Sequence, residues 1–577
     1  MNFVATSGNQ NYNLDMNTII SGITSLPTTV GPFFILLGLL IFVHELGHFL
    51  VAKYFGVRVE TFSLGFGKKL LKYKRGDTTY CISMIPLGGY VKMYGDDTSA
   101  EIPEEEKKHA FLHKPVSQRI AVVLAGPLMN LFFAALIFTF IAGLGELMPG
   151  PMAGDIPDTA PAYEAGFRSG DKILSINGQE TPTWIHIRKK IEEAGGQALS
   201  FAVERRGEPQ PLELQAAVGF GPNENIFSSN RTVGQIPGLV QESRSTVVGV
   251  KDPQSPAALA GIKTLDVLVS INGTKVSYWR DLQHTALRAM GDDTKALTLQ
   301  VRDISAEEKP ENLRTFEVAV RPGWNEKTNL MDWLGLEPSE LYIYQVKKDS
   351  PAGLAGLQAK DKVIRIDGED IHTWADVLAR VKSFTGETME FAILRDGKES
   401  ALKIKPEMTT LMTNKGQEEK RYTIGIVSGF FPVGGDPVFY RTKGFLPIIK
   451  TGIRETANWT EFVVMSMVRL ISGDVSAKNI GGVITIGRVA SNSFEAGIST
   501  FLKTMAVISI NLFLLNMLPI PILDGGHLVF YTIEALKGTP LSMRKMEIAQ
   551  QVGLMLLMFL MVFAFFNDLT NLFSNRW

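Results

Sequence analysis

His44-Glu45-Leu46-Gly47-His48 sets two imidazoles four residues apart, with a carboxylate beside the first. On a helix, residues four apart share a face, so both rings reach one ion, and zinc takes such nitrogen ligands. Glu45 then stands where a carboxylate takes the proton of an attacking water. The run that carries these residues, Pro32 to Tyr54, is otherwise apolar except for Lys53. Ionisable groups inside hydrocarbon cost roughly 2.5–3.5 kcal/mol each even on lenient insertion scales, so an idle pattern of this kind is seldom kept there. Catalytic zinc has three protein ligands and an open position, which calls for a third ligand from elsewhere. Asp524 is the candidate, following Pro519-Ile520-Pro521 and preceding Gly525-Gly526; His527 is its rival.

The elements that must bring these groups together are long and apolar. Ile120 to Gly145, Met505 to Leu523 and Ile548 to Phe566 contain no Asp, Glu, Lys or Arg, and each reaches the roughly 20 residues that span hydrocarbon. With Pro32 to Tyr54 they make four membrane helices. Residues 1–31 hold no Lys or Arg, whereas the loop between the first two helices holds Lys68, Lys69, Lys72, Lys74, Arg75, Arg119 and others, and Lys537, Arg544 and Lys545 follow the third helix. Basic loops stay inside, so the N-terminus, the long central stretch and the C-terminus are expected outside. The first and third helices then both run inward, and His44, His48 and Asp524 arrive at one depth on the cytoplasmic side. Asn2 to Ser25 is polar and lacks a basic start, so no cleaved signal peptide is expected.

The 577 residues exceed one ordinary core. Hydrophobic residues make up 45% but are gathered into the blocks above, and mean hydropathy is only +0.09. The single cysteine, Cys81, excludes an internal disulfide framework. A net charge of -1 and the lack of a basic patch interleaved with aromatics argue against nucleic acid as a partner.

Between about 150 and 430 the chain repeats itself at an offset of 95 residues: Gly166, Gly261 and Gly356 fall in one column. So do Pro161, Pro256 and Pro351; Asp171, Asp266 and Asp361; Gly178, Gly273 and Gly368; and Trp184, Trp279 and Trp374. That period is the size of a small domain, so three tandem modules are implied. Each has a β-branched strand closed by Asn-Gly or Asp-Gly, then a helix after the tryptophan, which is read as a packing residue at the module edge. The modules resemble PDZ domains in the permuted form of bacterial envelope proteases, with Leu334 to Leu336 and Ile424 to Ile426 in the place of carboxylate-binding loops. Linkers are expected at 148–155, 219–231, 322–329 and 409–420. Gly444 to Ile471 has helical apolar spacing and suits a helix along the outer membrane surface.

The whole pattern resembles the site-2 protease family in its bacterial form. It rests on the H-E-L-G-H helix, on Asn516-x-x-Pro519-x-Pro521-x-x-Asp524-Gly525, and on PDZ-like modules between the second and third helices. Phe62 to Gly67, Pro86 to Met93, Ala125-Gly126-Pro127 with Asn130, and Phe566-Asn567-Asp568 extend it over nearly the whole chain. The resemblance implies a zinc protease of the bacterial inner membrane that makes the second cut in a single-span anti-sigma factor and clears remnant signal peptides. It implies that Asn130, Asn516, Pro519, Gly88 and Gly89 contact substrate. Two departures stand out: three modules where two are usual, and Val483 where the family has proline.

The expected fold is thus a polytopic α-helical membrane protein with inserted tandem PDZ-like β/α domains on the outer side. Its divisions are 1–31 (outer segment), 32–147 (two helices and a cytoplasmic, re-entrant β loop), 148–230, 231–325 and 326–430 (modules), 431–500 (membrane-surface region) and 501–577 (two helices). A β-hairpin is expected around Arg75-Gly76-Asp77, its edge free to hold an extended substrate. The basic run 68–75 is read as a lipid-headgroup contact. Two other classes fit less well. A proton-coupled transporter has no use for zinc-ligand spacing, and an inactive scaffold would tolerate loss of Glu45.

Overall fold

The computed structural model describes residues 16–573 apart from 97–101, 224, 226, 291–294, 307, 321–323, 325–327 and 413–417. The chain divides into two compact units, one of residues 1–146, 227–229 and 441–577, the other of 147–226 and 230–440.

In the first unit the elements are α1 (Met16–Tyr54), β1 (Val59–Arg75), β2 (Thr78–Met93), α2 (Val116–Leu144), α3 (Phe445–Ile471), α4 (Val483–Glu495), α5 (Ile498–Asn516), α6 (Asp524–Lys537) and α7 (Met543–Phe573). Among the described residues, four stretches are long and apolar enough to cross a membrane: Gly31–Tyr54, Val116–Leu144, Ile498–Asn516 and Arg544–Thr570. The third departs from expectation. It begins earlier and stops at Asn516, because Pro519 and Pro521 lack the N–H that would continue the ladder, and Asp524 opens the separate helix α6. Leu36, Leu40, Ala134, Phe138, Ala506 and Ile510 form the bundle core, joined by Val463 of α3. At Gly452 the backbone of α3 meets Thr139 of α2 so closely that a Cβ there would lie 2.0 Å from Thr139 Oγ1. One face of α3 therefore packs against α2.

The hairpin turns at Gly76-Asp77, with Arg75 opposite Thr78. It also folds over on itself: Thr61 to Leu64 is paired both with Thr79 to Ile82 and with Gly89 to Lys92. The stretch Gly89–Lys92 is thereby laid along α1. At the far end, Asp568 of α7 accepts from the backbone N–H of Gly482, Ile484 and Thr485 and from the Thr485 hydroxyl, capping α4. Val483 is the first residue of α4, a position whose N–H has no helical partner, so proline and valine both serve there.

The second unit holds three antiparallel sheets of one topology. In the first the order is Gln179–Glu180, Lys172–Ile176, Ala198–Glu204, Leu212–Ala217. Strands Thr274–Lys275, Asp266–Ile271, Ala296–Asp303 and Arg314–Ala319 repeat it, as do Glu369–Asp370, Lys362–Ile366, Met389–Arg395 and Lys398–Ile404. Each sheet has its own core, and each of Trp184, Trp279 and Trp374 packs half-buried against that core, as a module-edge residue should.

The repeated columns have physical causes. Asn177, Asn272 and Asp367 take φ of 50°, 45° and 51° to turn the first hairpin, and their Oδ1 atoms accept from the N–H of Ser200, Thr298 and Glu390. Asp171, Asp266 and Asp361 are buried, and each accepts from the N–H three residues back. Each also meets an arginine: Arg205 at 2.8 Å, Arg314, and Arg395 at 2.6 Å. In the second module that arginine comes from a different strand.

The modules interlock more tightly than a reading as beads on linkers suggests. Arg280 donates to Asp155 at 3.0 Å and to Ser243 at 2.5 Å, and Arg244 pairs with Glu340 at 3.1 Å. The expected linker around 219–231 supplies a strand, Gly219–Pro222, that pairs with Thr232–Gln235. Tyr278 donates to Asp436 at 3.0 Å, and burial together with that carboxylate pushes its hydroxyl up to about 12. Strands Glu146–Pro149 and Pro437–Tyr440 pair where the insert begins and ends, and Gly150 N–H donates to Asp436 O at 3.2 Å.

Candidate metal and active site

The sequence signals His44, His48 and Asp524, far apart in the chain, meet in space. Asp524 Oδ2 lies 3.2 Å from His44 Nε2 and 3.6 Å from His48 Nε2. The two Nε2 atoms are themselves 3.2 Å apart. All three ligand-type atoms fall within 4.8 Å of one another. His527, one turn further along α6, is not in this group; its ring lies near Phe530 and Tyr531.

Close helix packing makes the convergence possible. Gly47 puts α1 against α2, where a Cβ would sit 2.3 Å from Ala125 O, and a Cβ at Gly126 would sit 2.2 Å from His48 Nε2. Any larger residue at 126 would fill the space the imidazole occupies. The turn between α5 and α6 is tied by Ile520 N–H to Leu518 O at 2.7 Å and Leu523 N–H to Ile520 O at 2.8 Å, which brings Asp524 back towards the histidines.

Hydrogen bonding sets the tautomers. His48 Nδ1 is 2.8 Å from Val122 O; a carbonyl only accepts, so Nδ1 carries the proton and Nε2 presents a lone pair. The Asn130 amide lies 3.3 Å from His44 Nδ1 through Nδ2, while its Oδ1 is buried without a partner. Amide oxygen and nitrogen are interchangeable in shape. Turning the amide over lets Oδ1 accept from His44 Nδ1–H and leaves His44 Nε2 bare as well. Two imidazole lone pairs and a carboxylate oxygen then aim at one spot, an arrangement that repels itself unless a cation lies among them. The donor set, two nitrogens from α1 and one oxygen from α6, fits zinc.

Glu45 is half-buried one residue from His44, and β2 runs directly against it. A Cβ on Gly89 would lie 3.1 Å from Glu45 Cγ and 2.9 Å from Ser63 O, while one on Gly88 would strike the Phe66 ring. Asn516 is half-buried at the end of α5 and Pro519 exposed in the following turn. Asn130, expected to contact substrate, is 0% exposed and lies beside His44 Nδ1. Sequence reasoning missed the Val122 carbonyl, since a backbone acceptor leaves no mark on residue type. Gly126 was signalled only through its place in Ala125-Gly126-Pro127.

The chain belongs to peptidase family M50, whose model matches residues 32–560, and it is a membrane metalloprotease of the site-2 type. It is 30% identical over 95% of its length to the regulator of sigma-E protease RseP of Salmonella typhimurium, of which the match covers 100%. It is likewise 30% identical, over 92% of this chain and 97% of the other, to a Neisseria meningitidis protein whose name describes a zinc metalloprotease. The PDZ domain of an SdrC-like protein from Listeria innocua matches 15% of this chain and 92% of its own at 26% identity, with a TM-score of 0.13.

Proposed function

We propose that the chain is a zinc-dependent endopeptidase that cuts single-span membrane proteins within the bilayer, with zinc held by His44, His48 and Asp524. The observation that carries this is the meeting of those three ligand atoms from α1 and α6, with Glu45 beside them. Zinc bound there would supply Lewis-acid activation of water and of the scissile carbonyl. Glu45 takes the proton of the attacking water and delivers it to the leaving amine. His48 is kept in its ligating tautomer by Val122, and His44 by Asn130. The stretch Gly89–Lys92, with Gly88 preceding it, lies where an extended substrate adds as a further strand beside Glu45. Asn516 and Pro519 line the same approach.

By likeness to the named regulators, the substrate class is an anti-sigma factor already trimmed outside the membrane, with remnant signal peptides as a second class. The chain sits in the inner membrane with both termini and the modules outside and the zinc toward the cytoplasm, as the basic loops indicate. Positive residues 68–75 rest on lipid headgroups. The three interlocked modules act as a size filter that hinders substrates still carrying a folded outer domain. Because Gly150 and Asp436 are hydrogen-bonded neighbours, replacing 151–435 by a short flexible link tests the filter without stretching the bundle. The shortened protein is expected to gain activity on an untrimmed substrate and keep it on a trimmed one; loss on both in a folded, zinc-bound protein would make the modules a delivery device instead. Metal analysis tests the ligand set: zinc is expected to bind weakly to Asp524→Ala and normally to His527→Ala, and the reverse pattern would reassign the ligand.

A further inference from the structure

α2 and α6 are joined at a second place, away from the metal-type group. Arg119 donates through Nη1 to Glu534 Oε2 at 3.1 Å and through Nη2 to Oε1 at 2.6 Å. The two side chains are 9% and 14% exposed. Arg119 Nε donates to Lys114 O at 3.0 Å, and its guanidinium lies over the Tyr531 ring, 4.8 Å from the centroid. A planar fork held on three sides has one orientation.

The location gives this pair a meaning beyond stability. Glu534 belongs to the helix that Asp524 opens, and that helix has no side-chain cap at its start and emerges from a two-proline turn. The hydrogen-bonded turn fixes where α6 starts, and the ion pair fixes the helix again at Glu534, ten residues further on. Arg119 lies three residues before Val122, on the neighbouring turn of α2, and Val122 holds His48. One turn of α2 thus registers both halves of the ligand set, His48 through a carbonyl and α6 through a guanidinium. A buried ion pair adds little net stability compared with an apolar pair, and its best-attested use is to fix register.

We propose that Arg119 and Glu534 are positioning residues that set where α6 presents Asp524 to the two histidines. The proposal rests on His44, His48 and Asp524 being the zinc ligands. Its test is zinc affinity of the full chain, by competition with a chromophoric chelator, for Arg119→Gln, Glu534→Gln, the double variant and Arg119→Lys, alongside thermal unfolding of the zinc-free forms. Each single Gln variant is expected to bind zinc about 10-fold more weakly or worse, the range for losing an outer partner of a metal ligand. The double variant should be no weaker than the weaker single, because one interaction is lost once, and Arg119→Lys should fall between wild type and Arg119→Gln. Unchanged zinc affinity, with only the melting of the zinc-free form lowered, would overturn the proposal and leave the pair purely structural. If Arg119→Gln does not fold, the nearly isosteric Glu534→Gln decides on the same criterion. Asp524→Ala in the same assay separates the two claims: loss of zinc there with none in the pair variants sinks only the positioning role, whereas retention in Asp524→Ala sinks the ligand set beneath it.

Discussion

The repeated aspartates of the modules and Asp524 of the membrane unit are treated in opposite ways. In the modules, Asp171 and Asp361 are each 1% exposed, and each is answered by an arginine fork and a backbone N–H. Their charge is complete within the protein. In the membrane unit, Asp524 faces two imidazoles whose other nitrogens are already engaged by Val122 and Asn130. There the protein brings together three donor atoms that could hold a cation. The arginine-matched aspartates of the modules complete their charge locally, whereas Asp524, set among imidazole lone pairs, has the surroundings of a metal ligand.

The largest effect is expected at Asp524. Asp524→Ala should weaken zinc binding more than about 100-fold, beyond what loss of an outer partner costs, while the modules melt unchanged; equilibrium competition against a chelator measures the first and calorimetry the second. Asn130→Leu comes next. Loss of the acceptor for His44 Nδ1 should lower zinc affinity by about 10-fold to 100-fold. A raised KM with zinc affinity intact would instead return Asn130 to the substrate side.

On the other side of the comparison, Asp361→Ala should destabilise the third module by roughly 1.5–3 kcal/mol, the cost of hydrogen bonds to a charged group, and leave zinc affinity untouched. A zinc effect there would mean that the two units are coupled. The smallest effect concerns backbone strain. Lys360 holds φ +75°, in the column where the first module has Gly170 at φ +87°. Lys360→Gly should stabilise by about 0.5 kcal/mol, the relief of roughly 1–2 kcal/mol of left-handed strain less the extra chain entropy of glycine. Chemical denaturation of the purified protein reads both.

What was legible in the sequence was whatever residue type and spacing encode. The meeting of His44, His48 and Asp524 could be read from two imidazoles at helical spacing and an aspartate after two prolines. The threefold repeat showed its turn and ion-pair columns because Asn-Gly turns and buried aspartates admit few substitutes. The prolines also held the signal that α5 must stop at Asn516, yet a charge-free apolar run to Leu523 masked it. Hydropathy likewise gave no sign of the packing at Gly452 against Thr139, which depends on shape rather than polarity. Asn130 looked the same in sequence whether it faced substrate or His44; only its burial distinguishes the two.

Cleavage itself is the decisive measurement. A single-span substrate reconstituted with the zinc-loaded protein should be cleaved within its membrane span, with the site mapped by mass spectrometry. Glu45→Gln should retain zinc and lose activity by about 10²–10⁴-fold, the usual contribution of a general acid–base group. Appreciable turnover by zinc-loaded Glu45→Gln, or a mapped cut lying outside the span, would contradict the account.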